Sequence, residues 1–127
     1  ETLVLENGSG LSRRERASAR FLGEMLAAAR RSPFQTAFTD SLPIAGNDGT
    51  LKKRFQNIGS PLRLKTGTLK NVRALAGYWL PEAPQHPLAI VVLVNSEQSG
   101  AYLPDLDRLV MQLLPAGAEA NHQPDSP

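Results

Sequence analysis

The amino-acid sequence predicts an α+β fold in which helices pack on a small antiparallel sheet. The first third of the chain carries a helical apolar pattern, the middle carries three strand-like runs, and a second helical stripe lies near the end. The connections between the strand-like runs are short, which implies antiparallel neighbours. Helices that flank such a sheet in sequence are typical of the α+β class.

The first third opens with a short β-run at residues 2–5, which ends in the turn cluster at residues 6–10. Ser12 and Glu15 have the spacing of a capping box, so we expect a helix from Arg13 to about Arg30. Its predicted buried face consists of Phe21, Leu22, Met25, Leu26 and Ala29. Four arginines would then crowd its first turns, against the preference of a helix N-terminus for anions. They are Arg13, Arg14, Arg16 and Arg20.

A Ser-Pro pair ends this helix, and a short second helix is expected at residues 34–38. Residues 42–49 then form a loop, followed by a short basic helix at residues 51–55. The predicted strands cover residues 62–69, 74–80 and 88–94, with turns at residues 70–73 and 81–87. Within the third strand the apolar residues do not alternate with polar ones, so we expect burial on both faces. Tyr78 and Trp79 alternate along the second strand, so one of them should belong to the core.

The last helix is predicted from an apolar stripe that stops before Pro115. The stripe comprises Leu103, Leu106, Leu109, Val110, Leu113 and Leu114. Residues 116–127 are polar and rich in proline and glycine, and are predicted to be disordered. Residues 1–115 would therefore form the folded part.

Composition excludes several classes of function. The net charge of +2 is too small to indicate a nucleic-acid partner, and the paired arginines lack interleaved aromatic residues. No apolar run approaches the roughly 18 residues needed to span a membrane. The chain has no cysteine, and its two histidines, His86 and His122, are isolated. We therefore expect no metal site and no cofactor.

The most informative feature is the tripeptide Lys65-Thr66-Gly67 on the first predicted strand. A strand lysine can hold a substrate carboxylate, and the Thr66 hydroxyl can add a hydrogen bond to it. Gly67 would let a substrate backbone lie close to the strand. The amide of Thr68 could point at a carbonyl oxygen as half of an oxyanion hole. A coincidental tripeptide on a surface strand is the alternative.

Lys-Thr-Gly is one of three signatures of the penicillin-recognising serine enzymes. The other two are a nucleophilic Ser-x-x-Lys and a Ser-x-Asn or Ser-Asp-Asn element. Not one serine in the chain has lysine three residues on or asparagine two residues on. A nucleophile is therefore expected outside these 127 residues, and the chain alone is expected to be inactive.

Three further runs accompany the tripeptide. They are Asn7-Gly8-Ser9-Gly10-Leu11-Ser12-Arg13, Leu42-Pro43-Ile44-Ala45-Gly46-Asn47-Asp48-Gly49-Thr50-Leu51 and Leu75-Ala76-Gly77-Tyr78. In this order and spacing the chain resembles the C-terminal part of the D-alanyl-D-alanine carboxypeptidase/endopeptidase family, the low-molecular-mass class C penicillin-binding proteins. The resemblance covers residues 4–114.

The resemblance implies the C-terminal segment of a penicillin-binding-protein or β-lactamase-like transpeptidase domain, in a periplasmic enzyme that hydrolyses peptidoglycan peptides through an acyl-enzyme. Lys65 and Thr66 would bind the carboxylate of a D-Ala-D-Ala stem peptide or of a β-lactam, and Thr68 would supply an oxyanion amide. The upstream half of the same domain would be the partner that carries the serine. Without it, apolar faces would be left open and the chain could self-associate.

Arg13 leaves two interpretations open. It could contact an anionic group of the stem peptide, or it could be a solvated arginine that pairs with Asp48 or another acid.

Two other functions also stay open. A β-lactamase or esterase relative would share Lys-Thr-Gly, although the runs at residues 7–13 and 42–51 do not match that family. A non-catalytic binding relative would keep the strand and lack the nucleophile. The sequence upstream would separate these.

Overall fold

The computed structural model describes residues 3–121. Within them lie three α-helices, α1 (Ala19–Arg30), α2 (Gln35–Asp40) and α3 (Leu103–Leu113), and three strands, β1 (Leu62–Leu69), β2 (Val72–Trp79) and β3 (Leu88–Asn95). Single turns of 3-10 helix cover Gly49–Leu51, Ser99–Tyr102 and Ala118–Asn121. The strands form one antiparallel sheet in the order β1-β2-β3. The predicted α+β class is confirmed.

The sheet has two apolar faces, each covered by a helix. On one face, side chains of all three strands pack with α3 in the larger core. The strand residues of this core are Leu62, Leu64, Leu75, Trp79, Ile90 and Val92. On the other face, Tyr78 packs with Leu26 of α1 and with Leu42. Tyr78 and Trp79 are therefore both buried, one on each face, because successive side chains of a strand point to opposite sides.

The loop of the β1–β2 hairpin is shorter than predicted. Leu69 pairs with Val72, so only Lys70 and Asn71 form the loop, and Val72 and Arg73 belong to β2. Asn71 has a φ of 67°, a left-handed conformation that asparagine tolerates better than most residues and that two-residue hairpins require. This turn fixes the register of β1 against β2.

The third strand differs from the prediction of burial on both faces. Ile90 and Val92 are buried toward α3, whereas Val91, on the α1 side, is only partly buried. Leu88 and Ala89 at its start are exposed. Within residues 3–121, β3 is also an edge strand, since it pairs with β2 alone.

The start of α1 is a correction to the sequence prediction. The helix begins at Ala19, and Ser18 is its N-cap, with its hydroxyl accepting a hydrogen bond from the amide of Phe21 at 3.0 Å. Ser12 and Glu15 form no capping box. The carboxylate of Glu15 accepts hydrogen bonds from the amides of residues 6–8 instead, and the amides of Glu6 and Gly8 hold the pKa of Glu15 below its usual value. The expected crowding of arginines at the helix start is therefore wrong for residues 13, 14 and 16, which precede the helix.

The loop region between α2 and β1 also differs from the prediction. The expected basic helix at residues 51–55 is replaced by the single 3-10 turn Gly49–Leu51, and Phe55 has a φ of 54°, which a helix does not permit. The side chains of Leu51 and Ile58 are fully buried in the larger core. This segment is held by its apolar anchors rather than by helical hydrogen bonds.

The last helix and the segment after it complete the larger core. Leu106, Val110 and Leu114 recur every four residues and are buried, while Leu109 and Leu113 of the predicted stripe are exposed. Pro115 stops the helix, and Leu114 before it is extended, as expected for a residue that precedes proline. Ala118 is also buried in the larger core, while residues 116, 117 and 119 of the predicted disordered tail are exposed. Residues 122–127 of that predicted tail lie outside the described residues.

Candidate active-site strand

The outer edge of β1 is covered along its first half only. The segment at residues 43–45 runs antiparallel to it: the amide of Ala45 donates to the carbonyl of Leu62 at 2.9 Å, and the amide of Leu64 donates to the carbonyl of Pro43 at 3.1 Å. Beyond Leu64, no other segment of residues 3–121 pairs with this edge. The Lys-Thr-Gly half of the strand thus presents an unpaired edge.

The direction of the backbone groups along this edge follows from the pairing. In an antiparallel strand, the N–H and C=O of one residue point to the same side, and those of the next residue point to the other side. Because the carbonyl of Leu62 and the amide of Leu64 point outward, the backbone groups of Thr66 and Thr68 also point outward. The amide of Thr68 is therefore a hydrogen-bond donor aimed at the open edge.

Lys65 brings a positive charge to the same edge. Its side chain is exposed and starts from the sheet face that carries α1. The ammonium Nζ donates a hydrogen bond of 2.6 Å to the carbonyl oxygen of Thr66, which itself points outward. The lysine side chain therefore folds around the strand so that its charge lies at the unpaired backbone.

The side chain of Thr66 lies on the opposite face of the sheet from that of Lys65. It is on the α3 side of the sheet, partly buried, and its Oγ1 lies 2.8 Å from Oγ1 of Thr50. Thr50 belongs to the 3-10 turn Gly49–Leu51. Thr50 lies in the run at residues 42–51, and no local pattern links it to Thr66, because 16 residues separate the two.

Gly67 has a close neighbour on the adjacent strand. A β-carbon at this position would lie 3.3 Å from the β-carbon of Ala74, its partner in β2. That direction is the α1 face of the sheet rather than the open edge. A side chain at residue 67 would therefore contact Ala74.

Arg73 is a cation near the site that sequence reasoning missed. It lies opposite Thr68 in the β1–β2 register, so both side chains are on the α3 face. Its Nη1 donates to the carbonyls of Leu69 at 2.7 Å and Val72 at 2.8 Å, and to Oγ of Ser99 at 3.4 Å. Arg73 thereby ties the hairpin turn to the 3-10 turn before α3. An arginine just after a two-residue turn is the signal that could have indicated this role.

Arg13 is not brought to β1 by any hydrogen bond or ion pair within residues 3–121. It is exposed, and its carbonyl oxygen accepts a 2.6 Å hydrogen bond from Arg16. The pairing with Asp48 that one interpretation proposed is not formed. The Asp48 carboxylate accepts a 2.6 Å hydrogen bond from the amide of Ile44 and so closes the loop.

Residues 3–121 contain no group of three or more histidine, cysteine, aspartate or glutamate side chains that could hold a metal ion. None of the helices in this range is both long enough and apolar enough to cross a bilayer. His86 is exposed, and His122 lies outside the described residues.

Comparison with proteins of known sequence shows similarity to bacterial carboxypeptidases. The chain is 34% identical over 118 residues to a D-alanyl-D-alanine carboxypeptidase of Actinomadura sp. strain R39, covering 87% of this chain and 22% of that protein. It is 33% identical over 101 residues to D-alanyl-D-alanine carboxypeptidase DacB of Haemophilus influenzae, covering 76% of this chain and 21% of that protein. The chain therefore spans about a fifth of the length of the curated relatives it matches.

Comparison with solved structures also shows similarity to a bacterial penicillin-binding protein. Penicillin binding protein 4 (dacB) from Haemophilus influenzae, in complex with a novel β-lactam, superimposes with a TM-score of 0.73 at 27% sequence identity. The match covers 88% of this chain and 28% of that chain, and a second structure of the same protein gives a TM-score of 0.72. The predicted resemblance to penicillin-binding proteins is confirmed. Because a sequence model of the D-Ala-D-Ala carboxypeptidase 3 (S13) family also matches residues 1–113, the chain belongs to that family.

Proposed function

We propose that this chain forms the carboxylate-binding side of the active site in a penicillin-sensitive serine D-Ala-D-Ala carboxypeptidase and endopeptidase. One observation carries the proposal: the Lys65 ammonium and the outward amide of Thr68 lie at the same unpaired edge of β1, and the Thr66 hydroxyl is on the strand residue between them. A cation, a hydroxyl and a backbone amide on a strand edge suit an extended peptide that ends in a carboxylate.

Lys65 and Thr66 bind the C-terminal carboxylate of the substrate in this proposal. The lysine now donates to a carbonyl oxygen of its own strand, and its exposed side chain can turn to the stronger acceptor, a carboxylate. A hydrogen bond to a charged group contributes about 1.5–3 kcal/mol. The same two residues would hold the carboxylate of a β-lactam.

Thr68 contributes through its backbone. A serine from the upstream half of the domain attacks the carbonyl carbon of the D-Ala-D-Ala bond, and the Thr68 N–H stabilises the oxyanion that forms. The C–N bond then breaks, and the leaving D-alanine amine takes up a proton. Water hydrolyses the resulting ester, which releases the shortened peptide and restores the serine hydroxyl.

The remainder of the domain is proposed to cover the surfaces that residues 3–121 leave open. Within this range the outer edge of β3 is unpaired, and several large apolar side chains lie in the solvent. On α1 and α3 the most exposed of these are Met25, Leu109 and Leu113, whose exposed fractions are 46%, 43% and 50%. Unpaired edges and apolar patches of this kind favour association with another part of the protein.

The proposal also includes a substrate contact of Arg13 and a location of the enzyme in the cell envelope. Arg13 is exposed and has no acidic partner within residues 3–121, so its guanidinium could contact an anionic group of the stem peptide. Peptidoglycan as substrate places the enzyme in the bacterial envelope, in the periplasm.

The test is the intact mass of the full-length protein after incubation with benzylpenicillin. Wild-type protein should gain one penicilloyl group per molecule. The Lys65→Ala variant should react about 10- to 100-fold more slowly, because a charge-assisted hydrogen bond is lost. Lys70→Ala, which changes an exposed lysine of the adjacent turn, is the matched control and should react like wild type. A folded wild-type protein that gains no mass would overturn the proposal and favour a non-catalytic binding relative.

A further inference from the structure

We propose that Thr50 is a positioning residue for Thr66. In this inference, which rests on the proposed function, the Thr50 hydroxyl donates its proton to Oγ1 of Thr66. The Thr66 hydroxyl is then free to donate its own proton to the substrate carboxylate. Thr50 itself does not touch the substrate.

The argument is a count of protons. The two oxygens lie 2.8 Å apart, a normal distance for an O–H···O hydrogen bond, and geometry alone permits either one to be the donor. A threonine hydroxyl has one proton and two lone pairs. A carboxylate only accepts hydrogen bonds. As long as the Thr50–Thr66 hydrogen bond is kept, Thr66 can therefore bind a carboxylate through its hydroxyl only in the arrangement in which Thr50 is the donor.

The loop that carries Thr50 is attached to β1 itself. Residues 43–45 pair with the first half of the β1 edge, as described above. The Asp48 side chain then closes the loop on the amide of Ile44, and the Asp48 carbonyl accepts from the amide of Leu51 at 3.2 Å. The side chain of Leu51 is fully buried next to Thr50 in sequence. The hydroxyl of Thr50 is thus held in register with Thr66 by backbone pairing on one side and a core anchor on the other.

The effect of this hydrogen bond should appear mainly when substrate is bound. Thr50 is exposed and Thr66 is only partly buried, so in the free protein water can replace either partner. A bound carboxylate displaces that water and fixes the direction of the proton. We therefore expect Thr50 to affect acylation by carboxylate-bearing compounds with little effect on folding.

The test compares Thr50→Val with Thr50→Ser in the full-length protein. Valine keeps the shape of threonine without its hydroxyl, and serine keeps the hydroxyl. The rate constant for acylation by benzylpenicillin should fall about 3- to 15-fold in Thr50→Val, as expected for one neutral hydrogen bond, and should stay near wild type in Thr50→Ser. With benzylpenicillin methyl ester, which lacks the carboxylate, wild type and Thr50→Val should react alike. The ratio of the two rate constants is the readout that a merely structural role would not change.

The outcomes separate this inference from the proposed function. An equal loss on acid and ester, or no loss on either, would overturn the role of Thr50 while leaving the active-site assignment intact. Wild-type protein that is not acylated by benzylpenicillin would overturn the proposed function, and the role of Thr50 with it. Thermal melts of both variants should match wild type, which shows that any loss is not caused by unfolding.

Discussion

Gly77 in β2 packs directly against the backbone of Arg63 in β1. A β-carbon at residue 77 would overlap the carbonyl oxygen of Arg63 and would lie 2.9 Å from the α-carbon of Leu64, its partner in the register. The glycine of the Leu-Ala-Gly-Tyr run therefore allows the two strands to approach closely just before the Lys-Thr-Gly segment.

Replacement of Gly77 should destabilise the sheet. We expect Gly77→Ala to lower the free energy of unfolding by about 2–4 kcal/mol, because backbone atoms that cannot rotate away must move. Gly23→Ala in α1 is the matched control, since a β-carbon there meets no atom within 4 Å. Thermal unfolding of the full-length protein measures both. A Gly77→Ala protein that melts with wild type would show that the strands can separate at no cost.

The role assigned to Thr68 depends on its amide and not on its side chain. Thr68→Ala keeps the N–H and should react with benzylpenicillin at close to the wild-type rate. Thr68→Pro removes the donor and should lose about 10²- to 10³-fold, the usual effect of removing one oxyanion donor. Proline is tolerated at an edge position whose N–H points away from the sheet, as that of Thr68 does. Comparable rates for the two variants in proteins with wild-type melting would contradict the oxyanion role.

Tyr78 links β2 to α1 through its hydroxyl. The hydroxyl donates a 2.6 Å hydrogen bond to the carbonyl of Leu26, and the ring makes an edge contact with Phe38 and lies under Arg30. We expect Tyr78→Phe to lower stability by about 1 kcal/mol, the net value of a typical buried hydrogen bond. Chemical denaturation at pH 8 measures this difference.

The same residue should give the protein a dependence on alkaline pH. Burial raises the pKa of Tyr78 above its usual value, and the nearby Arg30 charge opposes this only in part. The stabilisation that the neutral, buried Tyr78 hydroxyl contributes is therefore fully present below the pKa of an unfolded tyrosine, about 10. It is lost as pH rises toward the higher pKa of the folded state. Wild type should lose stability more steeply than Tyr78→Phe above about pH 10. Parallel curves for the two proteins would contradict this assignment.

The isolated chain of 127 residues should be inactive and should associate with itself. No serine in it has the Ser-x-x-Lys spacing, so incubation with benzylpenicillin should leave its mass unchanged. Its open sheet edges and the exposed Leu109 and Leu113 should favour oligomers in analytical ultracentrifugation. A monomeric chain with a single cooperative melt would count against the proposed docking with an upstream half.

The sequence alone predicted those helices and strands whose residue pattern fits a single type of secondary structure. β1 occupies the predicted residues 62–69 and α3 ends within one residue of its prediction, because alternation and four-residue spacing specify a strand and a helix directly. β3 also lies within one residue of its predicted ends, because its continuous apolar run is bounded by turn residues. The Lys-Thr-Gly motif and its strand context were also readable. The family could also be predicted, because the order and spacing of its characteristic runs are visible directly in the sequence.

Elsewhere, tertiary contacts decided between patterns that were locally equivalent. The sequence predicts a helix start at Ser12 with Glu15, whereas the structure begins the helix after Ser18, and Glu15 is bonded to the amides of residues 6–8 instead. Ala118 packs on the core although it belongs to a segment rich in proline and glycine. The pairing of residues 43–45 with β1, and the meeting of Thr50 with Thr66, join positions about 16–20 residues apart. The sequence alone determined which side chains the strand carries. Only the folded chain decided which half of its edge is open and which hydroxyl lies beside Thr66, because hydrogen bonds between distant residues depend on packing that no local pattern records.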